Sequence, residues 1–189
     1  MDKGLFAPGP ILCSDLARQL VKRVRAKNMP EASNIPGNDT AWTDAVFGSL
    51  REIGEGRGFK VFHRPPKGGR GSEFLLDLIW YSDGGGIELG AECQWNDLLG
   101  EDMRDIKKVV YVKSPLKVLV WWDDTKSGVC GERIRRAIET YLETYNRHLH
   151  GEEYLCVEFG KGHRDRCNWY VVPNDGAVSS VSLMPLELN

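Results

Sequence analysis

The stretch from 73 to 95, EFLLDLIWYSDGGGIELGAECQW, constrains the fold of this chain more than any other. Two apolar arms, 74–81 and 87–95, flank Ser82, Asp83 and a run of glycines. Such glycines supply the positive φ angles of a tight turn, so the spacing predicts a β-hairpin. With a two-residue turn at Gly84-Gly85, Asp77 falls directly opposite Glu92. Opposed residues share a face and strand side chains alternate, so Gln94 joins them. The other face then carries Leu76, Leu78, Trp80, Leu89, Ala91, Cys93 and Trp95, with no charge. A slip of one residue would put the two acids on opposite faces.

Two acids facing each other on largely buried strands repel and lose solvation. A divalent cation would remove that conflict, because hard cations take carboxylate oxygens. The ordinary alternative is a strand end at which both acids are solvated.

The rest of the chain bounds the possibilities. Its 189 residues suffice for one domain with a substantial core. A net charge of −2 gives no global signal for nucleic acid or membrane. No apolar run is long enough to span a bilayer and no signal-peptide pattern is present, so a cytoplasmic protein is expected. The five cysteines are scattered and never in C-x-x-C spacing, which reads as reduced thiols and not as zinc ligands or a disulfide frame. His63, His148, His150 and His163 show no metal-ligand spacing with cysteine. No glycine-rich phosphate loop follows a strand, so no nucleotide cofactor is expected.

Taken in order, the chain predicts a helix from Ser14 to Lys27 with Leu16, Leu20 and Val24 buried. Its Arg18, Lys22, Arg23, Arg25 and Lys27 form either a solvated face or a polyanion contact. Residues 1–39 thus read as an N-terminal helix and loop extension. Residues 40–189 read as the main α/β domain, the two together forming a single globular unit. A second helix spans 40–55 on a stripe of Trp42, Val46, Leu50 and Ile53, with Asp44 and Glu52 away from it. Gly56 and Gly58 end it. A short strand, 59–63, leads into RPPKGGRGS, a basic loop in which Lys67 and Arg70 are candidate phosphate contacts. After Trp95 a helix is expected to about Tyr111, and then LKVLVWW as a strand buried on both faces. A strand, helix, strand run of this length implies a right-handed crossover and parallel pairing. A long helix over 131–148 and strands over 154–159 and 168–172 follow, and the tail from Asn174 gives weak signals.

This order of elements, with Asp77 in FLLDLIW and Glu92-x-Gln94 in GAECQWN, resembles the PD-(D/E)XK, or restriction-endonuclease-like, nuclease superfamily over roughly residues 40–122. The resemblance implies a mixed central β-sheet flanked by α-helices. It implies Mg²⁺, with Mn²⁺ as a substitute, held by Asp77, Glu92 and the carbonyl of Cys93. It also implies DNA as the partner; the oligomeric state is not set by the sequence, and a homodimer is the assembly to test. The proline usual before the aspartate is replaced by Leu76, and the usual lysine by Gln94. An amide cannot act as a base but can position a water by accepting its hydrogen bond. In the family a further acid often comes from the preceding helix, which makes Asp44 and Glu52 candidates. A displaced lysine sometimes comes from the next helix, which points to Lys108 ahead of Lys107. The expected activity is Mg²⁺-dependent hydrolysis of phosphodiester bonds in DNA by an endonuclease. The alternative is a nuclease-fold binding module without chemistry in a larger assembly.

Overall fold

The computed structural model describes residues 10–27, 38–63, 76–84, 86–94, 104–123, 129–145, 148–149, 151–160, 165–172 and 182–186. Two helices come first, α1 (Pro10–Ala26) and α2 (Asn38–Gly56). Strands β1 (Lys60–His63), β2 (Leu78–Tyr81) and β3 (Ile87–Gln94) follow. Then come α3 (Arg104–Tyr111), β4 (Leu116–Asp123), α4 (Val129–Thr144), β5 (Glu153–Gly160), β6 (Arg166–Val171) and β7 (Ser182–Leu186). The strands form one seven-stranded mixed sheet in sequence order. β3, β4 and β5 are parallel, and β2 and β6 run against their neighbours. The strand-forming pattern of the tail was too weak to predict β7.

Strand alternation divides the core in two. Leu78, Trp80, Leu89, Ala91, Val118, Val120, Leu155 and Val157 face α1 and α2. Ile79, Leu119, Trp121, Tyr154, Cys156 and Tyr170 face α3 and α4. The two parallel connections run through α3 and α4 toward successive neighbours. Right-handed crossovers in one direction put both helices on one face, and both belong to the same cluster. β4 is covered on both sides, which explains its nearly unbroken apolar sequence.

The N-terminal helix is a structural part of this core. Cys13, Leu16, Ala17, Leu20 and Val24 are buried with the α2 residues Trp42, Val46 and Leu50. Its end is tied to the sheet by Arg25. The guanidinium is bidentate to Asp165, with Nε to Oδ2 at 3.0 Å, and donates to the Gly160 carbonyl at 2.7 Å. It lies 5.7, 5.6 and 5.5 Å from the ring centroids of Trp42, Trp122 and Phe159. Arg25 is therefore an internal clamp and not a surface charge for a polyanion. Arg23 pairs with Glu52 at 2.6 Å, while Arg18 and Lys22 are exposed.

Candidate functional site

In the central hairpin Leu78 pairs with Ala91, Ile79 with Gly90 and Trp80 with Leu89. This is the register that aligns Asp77 with Glu92. The turn differs from the two-residue one expected. The ladder shifts between Trp80 and Tyr81, Tyr81 pairs with Ile87, and the Ser82 amide donates to the Gly86 carbonyl at 3.3 Å. A bulge takes up the extra residue, so a longer turn yields the same alignment.

β2 begins at Leu78, and Asp77 stands in a bend just before it. The bend also moves Leu76 from the face expected for it. Leu76 packs with Ile79, Ile106 and Val112 on the α3 side. It lies across Gly90, where a Cβ would come within 2.3 Å of Leu76 Cδ1. The main chain of Asp77 is thereby held over the end of β3, and its N–H donates to Glu92 Oε1 at 3.1 Å.

Glu92 is fully buried, one strand position from the half-buried Cys93 and two from the half-buried Gln94. Leu89 and Ala91 face the α1–α2 layer, so Glu92 and Gln94 face the α3–α4 layer. There Lys108 Nζ sits 3.7 Å from Glu92 Oε1. Lys107 turns to the neighbouring helix, with its Nζ 5.6 Å from the Tyr141 ring centroid. Glu92 and Lys108 thus meet near the carboxyl end of β3, with Gln94 on the same strand face. In open α/β sheets this is the end at which ligands bind.

The structure does not bring Asp44 or Glu52 to this carboxylate. Both sit exposed on α2, whose apolar stripe packs on the opposite face of the sheet. Glu52 is engaged by Arg23. Lys67 and Arg70 lie outside the described residues. Among the described residues no group of three or more His, Cys, Asp or Glu could hold a metal ion. Mg²⁺ is commonly bound through only one or two carboxylates, completed by waters and substrate phosphates. The acids that the sequence offers for that mode are Asp77 and Glu92, joined here through the Asp77 main-chain N–H, and no third acid is grouped with them among the described residues.

A second polar group, missed in the sequence, lies under the other end of α4. Lys117 of β4 is fully buried, with Nζ 2.7 Å from Glu152 Oε2 and 2.8 Å from the Tyr154 hydroxyl. Tyr154 donates to Glu152 Oε1 at 2.7 Å, and the Leu149 amide donates to Oε2 at 3.1 Å. His148 contacts Glu152 through Nδ1, and its Nε2 lies 2.9 Å from the Leu142 carbonyl. Burial pushes the Lys117 ammonium down to about 8, although Glu152 opposes this. Burial would raise the Glu152 carboxyl, but hydrogen bonds from His148, Lys117 and Tyr154 outweigh it and hold it below its usual value. Burial, and then the nearby Glu152 charge, raise the Tyr154 hydroxyl. The available signal was a lone lysine inside the apolar run LKVLVWW: a buried ammonium requires a buried acid.

Comparison with models of protein families, with curated proteins and with solved structures gave no match.

Proposed function

We propose that this chain is a metal-dependent endonuclease that hydrolyses phosphodiester bonds in DNA, built on a restriction-endonuclease-like sheet. The observation that carries this reading is the Asp77 amide donating to the buried Glu92 carboxylate, with Lys108 beside it. The order of α2, β1, β2, β3, α3 and β4, with β2 against its neighbours and β3 parallel to β4, supports the same reading.

Asp77, Glu92 and the Cys93 carbonyl would hold the ion. Bound Mg²⁺ supplies charge to clamp a phosphate and lowers the pKa of water. Gln94, on the same strand face as Glu92, accepts a hydrogen bond from a water and so orients it. Lys108 places a positive charge where negative charge develops on the phosphate. Glu92 is aimed by the Asp77 amide, a contact that stiffens the end of the hairpin.

The test combines two measurements. Mn²⁺ or Mg²⁺ titration by calorimetry should show binding that Glu92→Gln removes. Cleavage of supercoiled DNA with Mg²⁺ should be lost in both Asp77→Ala and Glu92→Ala. Wild-type turnover in either variant would sink the assignment.

One observation favours a second reading, a binding module on the same fold without chemistry. Gln94 stands where a lysine would act, and Lys108 already neutralises a glutamate with no exposed surface. That reading expects DNA binding with no cleavage at any divalent-ion concentration.

A further inference from the structure

The seam between α3 and α4 carries an aromatic and basic surface that the proposed chemistry does not use. Lys107 and Tyr111 are one helical turn apart on α3, and Tyr145, just past α4, donates its N–H to the Tyr141 carbonyl at 2.9 Å and continues that helix's stripe by one turn. The stripes face each other. Lys107 Nζ lies 5.6 Å from the Tyr141 centroid, and the Tyr111 and Tyr145 rings are 5.1 Å apart at 43°. Lys113, just past α3, places its Nζ 5.0 Å from the Tyr145 centroid. Tyr111 is 49 % exposed. Tyr141 and Tyr145 are half-buried and rest on the core beneath them.

These features have one chemistry in common. The lower rings are fixed by packing, so they present flat surfaces at small entropic cost. Ammonium groups sit beside the rings, Lys107 at Tyr141 and Lys113 at Tyr145. The exposed Glu143 of α4 is two residues from Tyr141 and 145, on another side of the helix. An anionic chain bearing flat rings satisfies both halves of the surface: its phosphates meet the lysines and its bases meet the tyrosines. A duplex shows this surface only phosphates, because its bases are stacked inside. Lys107 adjoins Lys108, which reaches Glu92, and the seam runs from there along α3 to the opposite end of the strands, where Tyr145 meets His148 at 5.0 Å.

We propose that the α3–α4 seam binds single-stranded DNA, stacking an unpaired base on the exposed Tyr111, which Tyr145 supports from below, and holding the backbone with Lys107 and Lys113. The choice of DNA rests on the proposed function; the stacking itself does not. This names the substrate as DNA with an unpaired segment, such as a flap, an end or a junction.

Binding of a fluorescent single-stranded oligonucleotide, measured in EDTA so that no cleavage occurs, tests the seam alone. Wild type should bind it more tightly than a duplex of equal length. Tyr111→Ala, at an exposed position that does not threaten the fold, should weaken binding about tenfold, and Tyr111→Phe should restore it. Lys107→Ala with Lys113→Ala should flatten the salt dependence by about 0.7 in log–log slope for each lysine that meets a phosphate. Equal binding by wild type and Tyr111→Ala overturns the proposal, as does duplex binding as tight as that of the single strand. Binding to RNA but not to DNA overturns it too, and so does occupation of the seam by a protein that excludes the oligonucleotide. Cleavage of supercoiled DNA in Mg²⁺ is read separately, so failure of the seam and failure of the nuclease reading give different results.

Discussion

Lys108 Nζ sits 3.7 Å from Glu92 Oε1, joining α3 to the end of β3 through a carboxylate that has no exposed surface. A buried carboxylate requires compensation, and here the Asp77 amide and the Lys108 ammonium provide it. The lysine side chain keeps 32 % of its surface, so it can leave the glutamate for water at modest cost. An incoming cation would neutralise the same oxygen atoms. On the proposed function Lys108 and the metal ion would compete for Glu92, and the displaced side chain would become available to a phosphate.

Lys108→Met tests this competition. The methionine keeps an apolar stem against the helix seam and removes the charge. Stability in EDTA should fall by about 1 kcal/mol, between the values for exposed and buried ion pairs. Mn²⁺ affinity measured by calorimetry should rise, because the ion no longer displaces an ammonium. Cleavage should fall, since the charge near the phosphate is gone. Unchanged Mn²⁺ affinity would mean that lysine and ion do not share the carboxylate.

Two glycines separate stability from site geometry. A Cβ at Gly54 would lie 2.6 Å from the Trp80 indole and 2.9 Å from Val61 Cγ2. Ala favours a helix over Gly by about 1 kcal/mol. Overpacking against a buried indole costs about 1–3 kcal/mol, so Gly54→Ala should be destabilising overall in urea melts. At Gly90 the obstacle is the flexible end of Leu76, which can swing aside. Gly90→Ala should therefore cost less stability than Gly54→Ala. It should weaken Mn²⁺ binding more, because moving Leu76 moves Asp77. The reverse ranking in both assays would mean that Leu76 does not position the aspartate.

The hairpin was legible because alternation and a glycine turn both act over short range. Its register followed from keeping one face apolar, and that constraint survived a turn of unexpected length. The crossovers were legible for the same reason, as a change of period from strand to helix and back. Long-range placement was not legible. Nothing local to Asp44 or Glu52 says which face of the sheet α2 will cover, and burial of Trp42, Val46 and Leu50 with Leu89 and Ala91 decided it. Arg25 read as one of several helix charges, because Asp165 and the rings around it come from distant segments. The position of Leu76 depended on a bend that no turn residue announces.

The α1 clamp predicts that Arg25 acts through geometry as well as charge. Lysine keeps the charge but cannot bridge both Asp165 oxygens and the Gly160 carbonyl at once. Arg25→Lys should lower stability by about 1–2 kcal/mol, and Arg25→Ala by more. Arg18→Ala, at an exposed position of the same helix, should stay within about 0.5 kcal/mol of wild type. Equal melting curves for Arg25→Lys and wild type would show that α1 is held by its apolar stripe alone.

Lys117 predicts how stability depends on pH at the alkaline end. Glu152, Tyr154 and His148 surround it, and Lys113 adds a like charge. The folded chain holds its pKa at about 8, below the ordinary 10.5. Between these values the unfolded chain binds more protons than the folded one, so this lysine makes stability rise with pH. The cost of burying the ammonium is fully present below about pH 8 and fades above it. Glu152 acts at the acid end: its depressed pKa contributes stability above the ordinary 4.5, lost as pH falls through the folded value. Lys117→Met removes the alkaline term and leaves Glu152 buried with its other donors, which should cost about 3 kcal/mol at pH 7. Urea melts of both proteins at pH 7, 8.5 and 10 should show the gap between them widening with pH, by a rise in wild type that the variant lacks. Adding Glu152→Gln to Lys117→Met should recover part of the loss, because no unpaired charge then remains inside. Parallel curves from pH 7 to 10, or a double variant as weak as the sum of the singles, would mean that the two groups are not a coupled buried pair.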